Sequence, residues 1–195
     1  MNDKQTLVIP GITNPATLAC IARSRKFGQY CKAVADALAG NCPFCNPDPT
    51  YNKAVDIPAL KHWRVQHCNP PEKHTKMHFL LVPLRHVTDT RRLTVPEWLE
   101  LQSALNALPD VFDFDYRGIL IRDGDATQSA GTVQHLHIHM MVPDGTGRVE
   151  SPFCKTPEDE AVGVARAIIF EKIRTGTALE SLPPEEKILV KDRMK

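Results

Sequence analysis

Three histidines alternate with apolar residues in the segment Gln134-His-Leu-His-Ile-His-Met-Met141. In an extended chain a period of two sends His135, His137 and His139 to one face and Leu136, Ile138 and Met140 to the other. The apolar face packs, and the histidine face is left for chemistry. Structural histidines have no reason to repeat at period two, whereas the isolated His62, His67 and His74 read as structural. Two chemistries suit the triplet. The rings can ligate a catalytic metal as neutral imidazoles with one coordination position open to water. Alternatively, one ring is a nucleophile and its neighbours bind the group it attacks. An ordinary imidazole, with a pKa of about 6.5, can be neutral and nucleophilic or protonated and hydrogen-bonding to phosphate near neutrality.

A second constellation is Cys42-Pro-Phe-Cys45. Two cysteines at this spacing with two distant histidines satisfy the ligand count of a closed tetrahedral zinc site. A buried thiol pair and a redox motif are the alternatives. A redox pair expects a strand before it and a helix starting at it, which Leu38-Ala-Gly-Asn-Cys-Pro-Phe-Cys45 does not offer. The six cysteines (Cys20, Cys31, Cys42, Cys45, Cys68, Cys154) are too few for a disulfide scaffold in 195 residues. Cys68 is a spare thiolate that can substitute for a zinc ligand.

The elements that must position these groups follow from pattern and punctuation. Residues 14–40 read as helical, with Asn14 as cap, Pro15 in the first turn and Gly40 at the end, although Gly28 argues against one unbroken helix. Residues 41–52 read as a loop. The stretches His62–His67, His78–Leu84 and Arg117–Asp123 have the branched and aromatic profile of strands. Pro83 assigns the second to a sheet edge or a bulge. Between the second and third lies the clearest helix: Thr94 and Glu97 form a capping box, Leu93 and Trp98 a staple, and Leu101, Leu105 and Leu108 one face up to Pro109. Thr156, Pro157 and an acidic first turn open a helix that ends in Lys172 and Arg174 before Gly176, and a short helix follows Pro183 and Pro184. Strands followed by segregated helices predict an α+β fold.

Composition excludes several partners. Lys+Arg outnumber Asp+Glu by 24 to 23, so no global field recruits nucleic acid or an anionic membrane, and any anion is bound locally. The N-terminal stretch has no basic segment leading into a long apolar one, and no run reaches the roughly 18 apolar residues of a membrane span. The expectation is a cytoplasmic protein.

His-Leu-His-Ile-His-Met-Met matches the His-x-His-x-His-x-x signature of the histidine triad family of nucleotide hydrolases and transferases. The resemblance extends to His78–Val87, which looks like the family's strand running from one active-site histidine through a proline and a basic residue to another. It also extends to Gly131–His135, similar to the phosphate-contacting approach, and to the Cys-x-x-Cys of the zinc-bearing branch. It covers roughly residues 42–143. It implies an antiparallel sheet with packed helices in a catalytic core at 42–150, flanked by helical extensions at 1–41 and 151–195. His137 is then the nucleophile that becomes nucleotidylated, His139 contacts the phosphate, and His78 is a fourth active-site histidine. Thr132 supplies a hydroxyl to the phosphate and Asn69 a contact to a ribose hydroxyl. Structural zinc would be held by Cys42, Cys45, His86 and His135.

This chain departs from the family pattern in three places. Ala130-Gly131 stands where Gly-Gln is common, so Gln128 is the candidate replacement for a glutamine contact. Two extra residues separate Asp123-Gly124 from the triad. Arg122 replaces a neutral polar residue and adds a positive charge to the phosphate site.

The leading expectation is cleavage of nucleoside 5′-phosphoryl bonds in a phosphoramidate, a dinucleoside polyphosphate or an adenylated compound, by a homodimer. Nucleotidyl transfer or phosphorolysis is the near alternative, less favoured because the sugar-nucleotide branch carries His-Pro-His-Gln. A non-catalytic nucleotide-binding regulator and a metal-dependent hydrolase are the readings from other classes.

Overall fold

An alternating segment is useful only where its two faces meet different surroundings, and a four-stranded antiparallel sheet provides them. The computed structural model describes residues 6–57, 60–151, 153 and 155–194; Cys154 lies outside the described residues. The strands are β1 (Trp63–His67), β2 (Thr75–Pro83), β3 (Gly118–Arg122) and β4 (His137–Pro143), in the order β1-β2-β4-β3. Five α-helices accompany them: α1 (Pro15–Ala22), α2 (Phe27–Leu38), α3 (Val95–Phe112), α4 (Pro157–Arg174) and α5 (Pro184–Val190). The architecture is the expected mixed α+β.

One face of the sheet forms the main core. Leu136, Ile138, Met140 and Val142 lead from and along β4 into a cluster with Phe79 and Leu81 of β2, Trp63 and Val65 of β1, and Leu101, Ala104 and Leu108 of α3. Each large apolar side chain so buried contributes roughly 1.5–3 kcal/mol. Residues of the opposite parity, His78, Leu80 and Val82 on β2 and His137 and His139 on β4, face the other way; Leu80 and Val82 join Phe44 in a small cluster there.

A third set of apolar residues unites the two ends of the chain. Leu7, Ile9, Ile12, Ile21, Tyr30 and Val34 pack with Ala167, Ile169 and Phe170 of α4, with Leu182 and with Val190 of α5. At this junction Gly163 lets α4 approach α1 closely: a Cβ there would lie 3.2 Å from the carbonyl oxygen of Ala22. The terminal segments therefore form one helical layer rather than two separate attachments.

One local expectation, the interruption of the N-terminal helix, is met, and two are corrected. The N-terminal helix breaks at Arg23–Lys26, ahead of Gly28, which sits in the first turn of α2. The reason lies in Arg23, whose buried side chain donates to the carbonyls of Ala126 (2.6 Å) and Thr127 (2.6 Å) and to Glu160 (2.7 Å), so the backbone there follows a tertiary demand. Pro83 does not mark β2 as an edge, since β2 lies inside the sheet. Pro83 is its last residue, opposite Trp63, and the adjoining ladder bond is Leu84 N–H to the His62 carbonyl, so the missing N–H interrupts nothing toward β1. Helix α3 passes through Pro109 to Phe112, where Phe112 packs against Phe79 with the rings tilted and their centroids 4.9 Å apart. That packing offsets the hydrogen bond a proline cannot make.

The start of α3 carries a buried carboxylate. Glu97 accepts from Thr94 N (2.7 Å) and from Arg85 Nη2 (2.9 Å), while its carbonyl accepts from Trp63 Nε1 (2.7 Å). The Arg85 hydrogen bond, outweighing burial, holds the carboxyl at about 2 against an ordinary 4.5. Its stabilisation is present in full above the ordinary value and is lost as pH falls from there towards 2. Glu97→Gln should cost about 1–2 kcal/mol in denaturant unfolding at pH 7. The difference from wild type should shrink at pH 3, and an undiminished difference would show that the charge is not what stabilises.

Candidate active site

The parity of β4 brings the triad histidines to the face opposite α3, and the hydrogen bonds there assign each ring a tautomer. His137 Nδ1 lies 2.8 Å from the carbonyl of His135, so it carries the proton and donates. Nε2 is left as a lone pair lining a cavity of about 730 Å³. Burial, the largest cause, pushes this imidazole down to about 4, so it is neutral and basic at its free nitrogen near pH 7.

His139 carries the complementary form. Glu72 N–H donates to His78 Nδ1 (3.0 Å), which places the proton of His78 on Nε2, and this donates to His139 Nδ1 (2.8 Å). His139 therefore holds its own proton on Nε2, a buried N–H with no partner among the described residues. Desolvation lowers both rings, His78 to about 3 and His139 well below the ordinary value. A nucleophilic nitrogen on His137 and a hydrogen-bond donor on His139 thus border one cavity, their ring centroids 5.0 Å apart. The same relay shows what Cys68 does: it lies beside His78 and His139 rather than with the other cysteines, and donates to the Pro70 carbonyl (3.4 Å).

The remaining predicted residues separate into two groups. Arg122 on β3 is the register partner of His137, buried, with Nη1 donating to the Ser129 carbonyl and Nη2 to Ser151 Oγ (3.2 Å). Thr132 and Asn69 also line the cavity, Asn69 anchored by its side-chain amide donating to the Tyr51 carbonyl (2.9 Å). Gln128 does not join them. It is exposed, it does not line the cavity, and its amide reaches only Thr127 Oγ1 (3.4 Å). Gln134 has a structural task instead, accepting from Ala126 N (2.7 Å) and donating to the Gly124 carbonyl (3.1 Å), which ties the loop at 124–126 to the start of the triad.

Sequence reasoning missed the wall opposite the histidines. Residues of α1 and α2, Arg25, Tyr51 and Lys155 line the same cavity. The apolar periodicity of residues 14–40 marked them as helical, but nothing in it shows what the helices cover, and Tyr51 and Lys155 carry no signal of their own.

Cys42, Cys45, His86 and His135 converge beside the triad. One ligand atom from each lies within 4.8 Å of the others, with Cys42 Sγ 3.4 Å and Cys45 Sγ 3.6 Å from His135 Nδ1, and Cys45 Sγ 3.3 Å from His86 Nδ1. Bonds of 2.0–2.3 Å around a tetrahedral zinc place its ligand atoms roughly 3.5 Å apart, which these spacings fit. His135 Nε2 donates to the Pro83 carbonyl (3.0 Å), so Nδ1 offers its lone pair to the cluster. Burial and the neighbouring Cys42 hold the Cys45 thiol at about 11, an obstacle that a divalent cation between the two sulfurs removes. Phe44, between the cysteines, packs edge-on against the His137 ring with centroids 5.3 Å apart, so the loop also braces that imidazole.

A family model for the HIT domain matches residues 67–146. Among solved structures the chain is similar to a histidine triad protein from Clostridium difficile, at 17% identity over 56% of this chain and 96% of that one, with a TM-score of 0.43. It is similar to a Zn-bound histidine triad family protein from Mycobacterium smegmatis at 19% identity over 71% and 99%, TM-score 0.43. A third is the diadenosine triphosphate hydrolase of Plasmodium falciparum in complex with cyclomarin A, at 20% identity over 62% and 76%, TM-score 0.38. A search of curated protein sequences finds no match.

The tautomers are directly measurable. Long-range 1H–15N spectra at neutral pH should show His137 protonated at Nδ1, and His78 and His139 at Nε2. An Nε2-protonated His137 would remove the nucleophile from the cavity.

Proposed function

We propose that this chain is a nucleotide hydrolase that cleaves nucleoside 5′-phosphoryl bonds through a nucleotidyl-histidine intermediate on His137. The observation that carries the reading is the pairing of a free Nε2 lone pair on His137 with an unpartnered Nε2–H on His139 at one cavity. The match of residues 67–146 to the HIT domain supports it.

In the first step the Nε2 lone pair attacks the α-phosphorus in line, the N–P bond forms, and the bond to the leaving group breaks with its electron pair. His139 donates to a non-bridging oxygen, where negative charge accumulates, and Thr132 and the Arg122 cation face the same oxygens. In the second step water attacks the phosphorus, the N–P bond breaks and a nucleoside monophosphate leaves. Asn69 sits where it can bind the ribose hydroxyls. His78 acts through His139, whose proton it directs into the cavity. Phosphate in place of water gives the phosphorolysis alternative with the same residues.

The hydrogen bonding disfavours the triplet as a catalytic metal triad. His135 turns its lone pair to the cysteines, and His139 faces the cavity with a proton rather than a lone pair. Zinc is assigned to Cys42, Cys45, His86 and His135, where it would pin the N-terminal loop to the start of β4 and leave His137 free. The expected homodimer is supported by β3 as an edge strand beside the exposed Ile119 and Tyr116. Cys20, Cys31 and Cys68, unpaired and outside the zinc cluster, suit a reducing, cytoplasmic setting. Among the described residues, no helix is long and apolar enough to cross a membrane.

His137→Asn should keep the fold and nucleotide binding while turnover falls by at least about 1,000-fold. In the wild type an acid-labile nucleotidyl adduct should map to His137 by peptide mass spectrometry. Normal turnover by the variant, or an adduct elsewhere, defeats the mechanism. Elemental analysis of protein purified without added metal should find about one zinc per chain, lost in Cys42→Ser and kept in His137→Asn. Metal-free wild-type protein that stays folded would contradict the zinc assignment.

A further inference from the structure

The cavity is lined by more cations than anions, and one of the cations makes no hydrogen bond among the described residues. Arg23, Arg25, Lys32, Arg122 and Lys155 line the cavity against three acidic side chains. Four of the five have protein partners. Arg23 is bonded to Glu160 and to loop carbonyls, Arg25 to Glu72 and the Pro70 carbonyl, Lys32 to Asp36, and Arg122 to Ser129 and Ser151. Lys155 makes no hydrogen bond or ion pair among the described residues, although it is only partly exposed.

Its place in the fold is specific. Arg122, the cross-strand neighbour of His137, donates to Ser151 at the head of the segment that leads to Lys155. Glu160, the charge that acts most on Lys155, accepts from Arg23, which donates in turn to the carbonyls of Ala126, Thr127 and Gly131, immediately before Thr132. Lys155 therefore lines the same cavity as His137, Thr132 and Arg122, carried by a chain segment outside residues 67–146. Burial, the largest cause, lowers the pKa of its ammonium, and the nearby Glu160, which acts in the other direction, is already paired with Arg23. An anionic ligand would complete that environment.

We propose that Lys155 binds the leaving group, and that it makes this protein selective for nucleotide substrates whose leaving group is a phosphate-bearing anion over those that release a neutral amine. The inference rests on His137 as nucleophile. When the bridging P–O bond breaks, its electron pair stays on the departing phosphate, and Lys155 pairs with the added negative charge; no proton has to be transferred. A departing amine takes up a proton from water as its P–N bond breaks, ends neutral and gains nothing from the ammonium.

The test compares diadenosine tetraphosphate with adenosine 5′-phosphoramidate in wild type, Lys155→Met and Lys155→Arg. The methionine variant should lose at least about tenfold in kcat/KM for the tetraphosphate and stay within about twofold for the phosphoramidate, with arginine restoring most of the loss. Equal losses on both substrates, or none, overturn the proposal. Calorimetry with inorganic tripolyphosphate separates this proposal from the mechanism. Binding to wild type that weakens about tenfold or more in Lys155→Met supports the subsite even if neither substrate turns over, an outcome that sinks the His137 reading alone. Unchanged binding, or none to wild type, overturns the subsite.

Discussion

His137 keeps its proton on Nδ1 because the carbonyl of His135, two residues back in its own chain, accepts it at 2.8 Å. This single local bond decides which nitrogen the cavity meets. A ring with the other tautomer would present a donor, and the site would hold two donors and no nucleophile. His139 reaches the opposite state by a longer route, through His78 and the backbone N–H of Glu72. The two rings thus take complementary forms although they are chemically identical and two residues apart. Burial reinforces both by holding them neutral.

That arrangement requires a strand buried on both faces by different partners. Beneath β4, α3 and the neighbouring strands take up Leu136, Ile138 and Met140. Above it, a second apolar contact would fill the space a substrate needs, so the cover stands off. The N-terminal helices and α4 share a core of their own and reach the sheet mainly through polar bridges such as Arg23 to the 126–131 loop and Arg25 to the 70–72 turn. A layer with an independent core can hold a wall in place without collapsing onto the histidines, and that spacing leaves the cavity.

How much of this was legible in the chain depends on whether a feature is local. The alternation at 135–140, the capping box of Thr94 and Glu97 and the strand-like segments are written in neighbouring residues, and the structure forms each of them. The four zinc-site residues, named through resemblance, do converge. What was not legible is long-range. Gly28 drew the helix break to itself, whereas Arg23 sets it through partners more than a hundred residues away. Pro109 appeared to end α3 because the compensating contact between Phe112 and Phe79 crosses elements. Gln128 was nominated by proximity in sequence to a missing glutamine, and the turn in which it sits exposes it. Lys155 has no sequence signal beyond its charge.

The shared core of the two termini also bears on how the molecule is made. Ribosomes add about 5–20 residues per second, so α1 and α2 emerge on the order of ten seconds before the α4 residues they pack against. Until then Ile21, Tyr30 and Val34 have no complete partner surface, while β1 to β4 and α3 can already pair among themselves. The sheet with its histidines would thus be assembled around an open face, and the cavity would gain its far wall last.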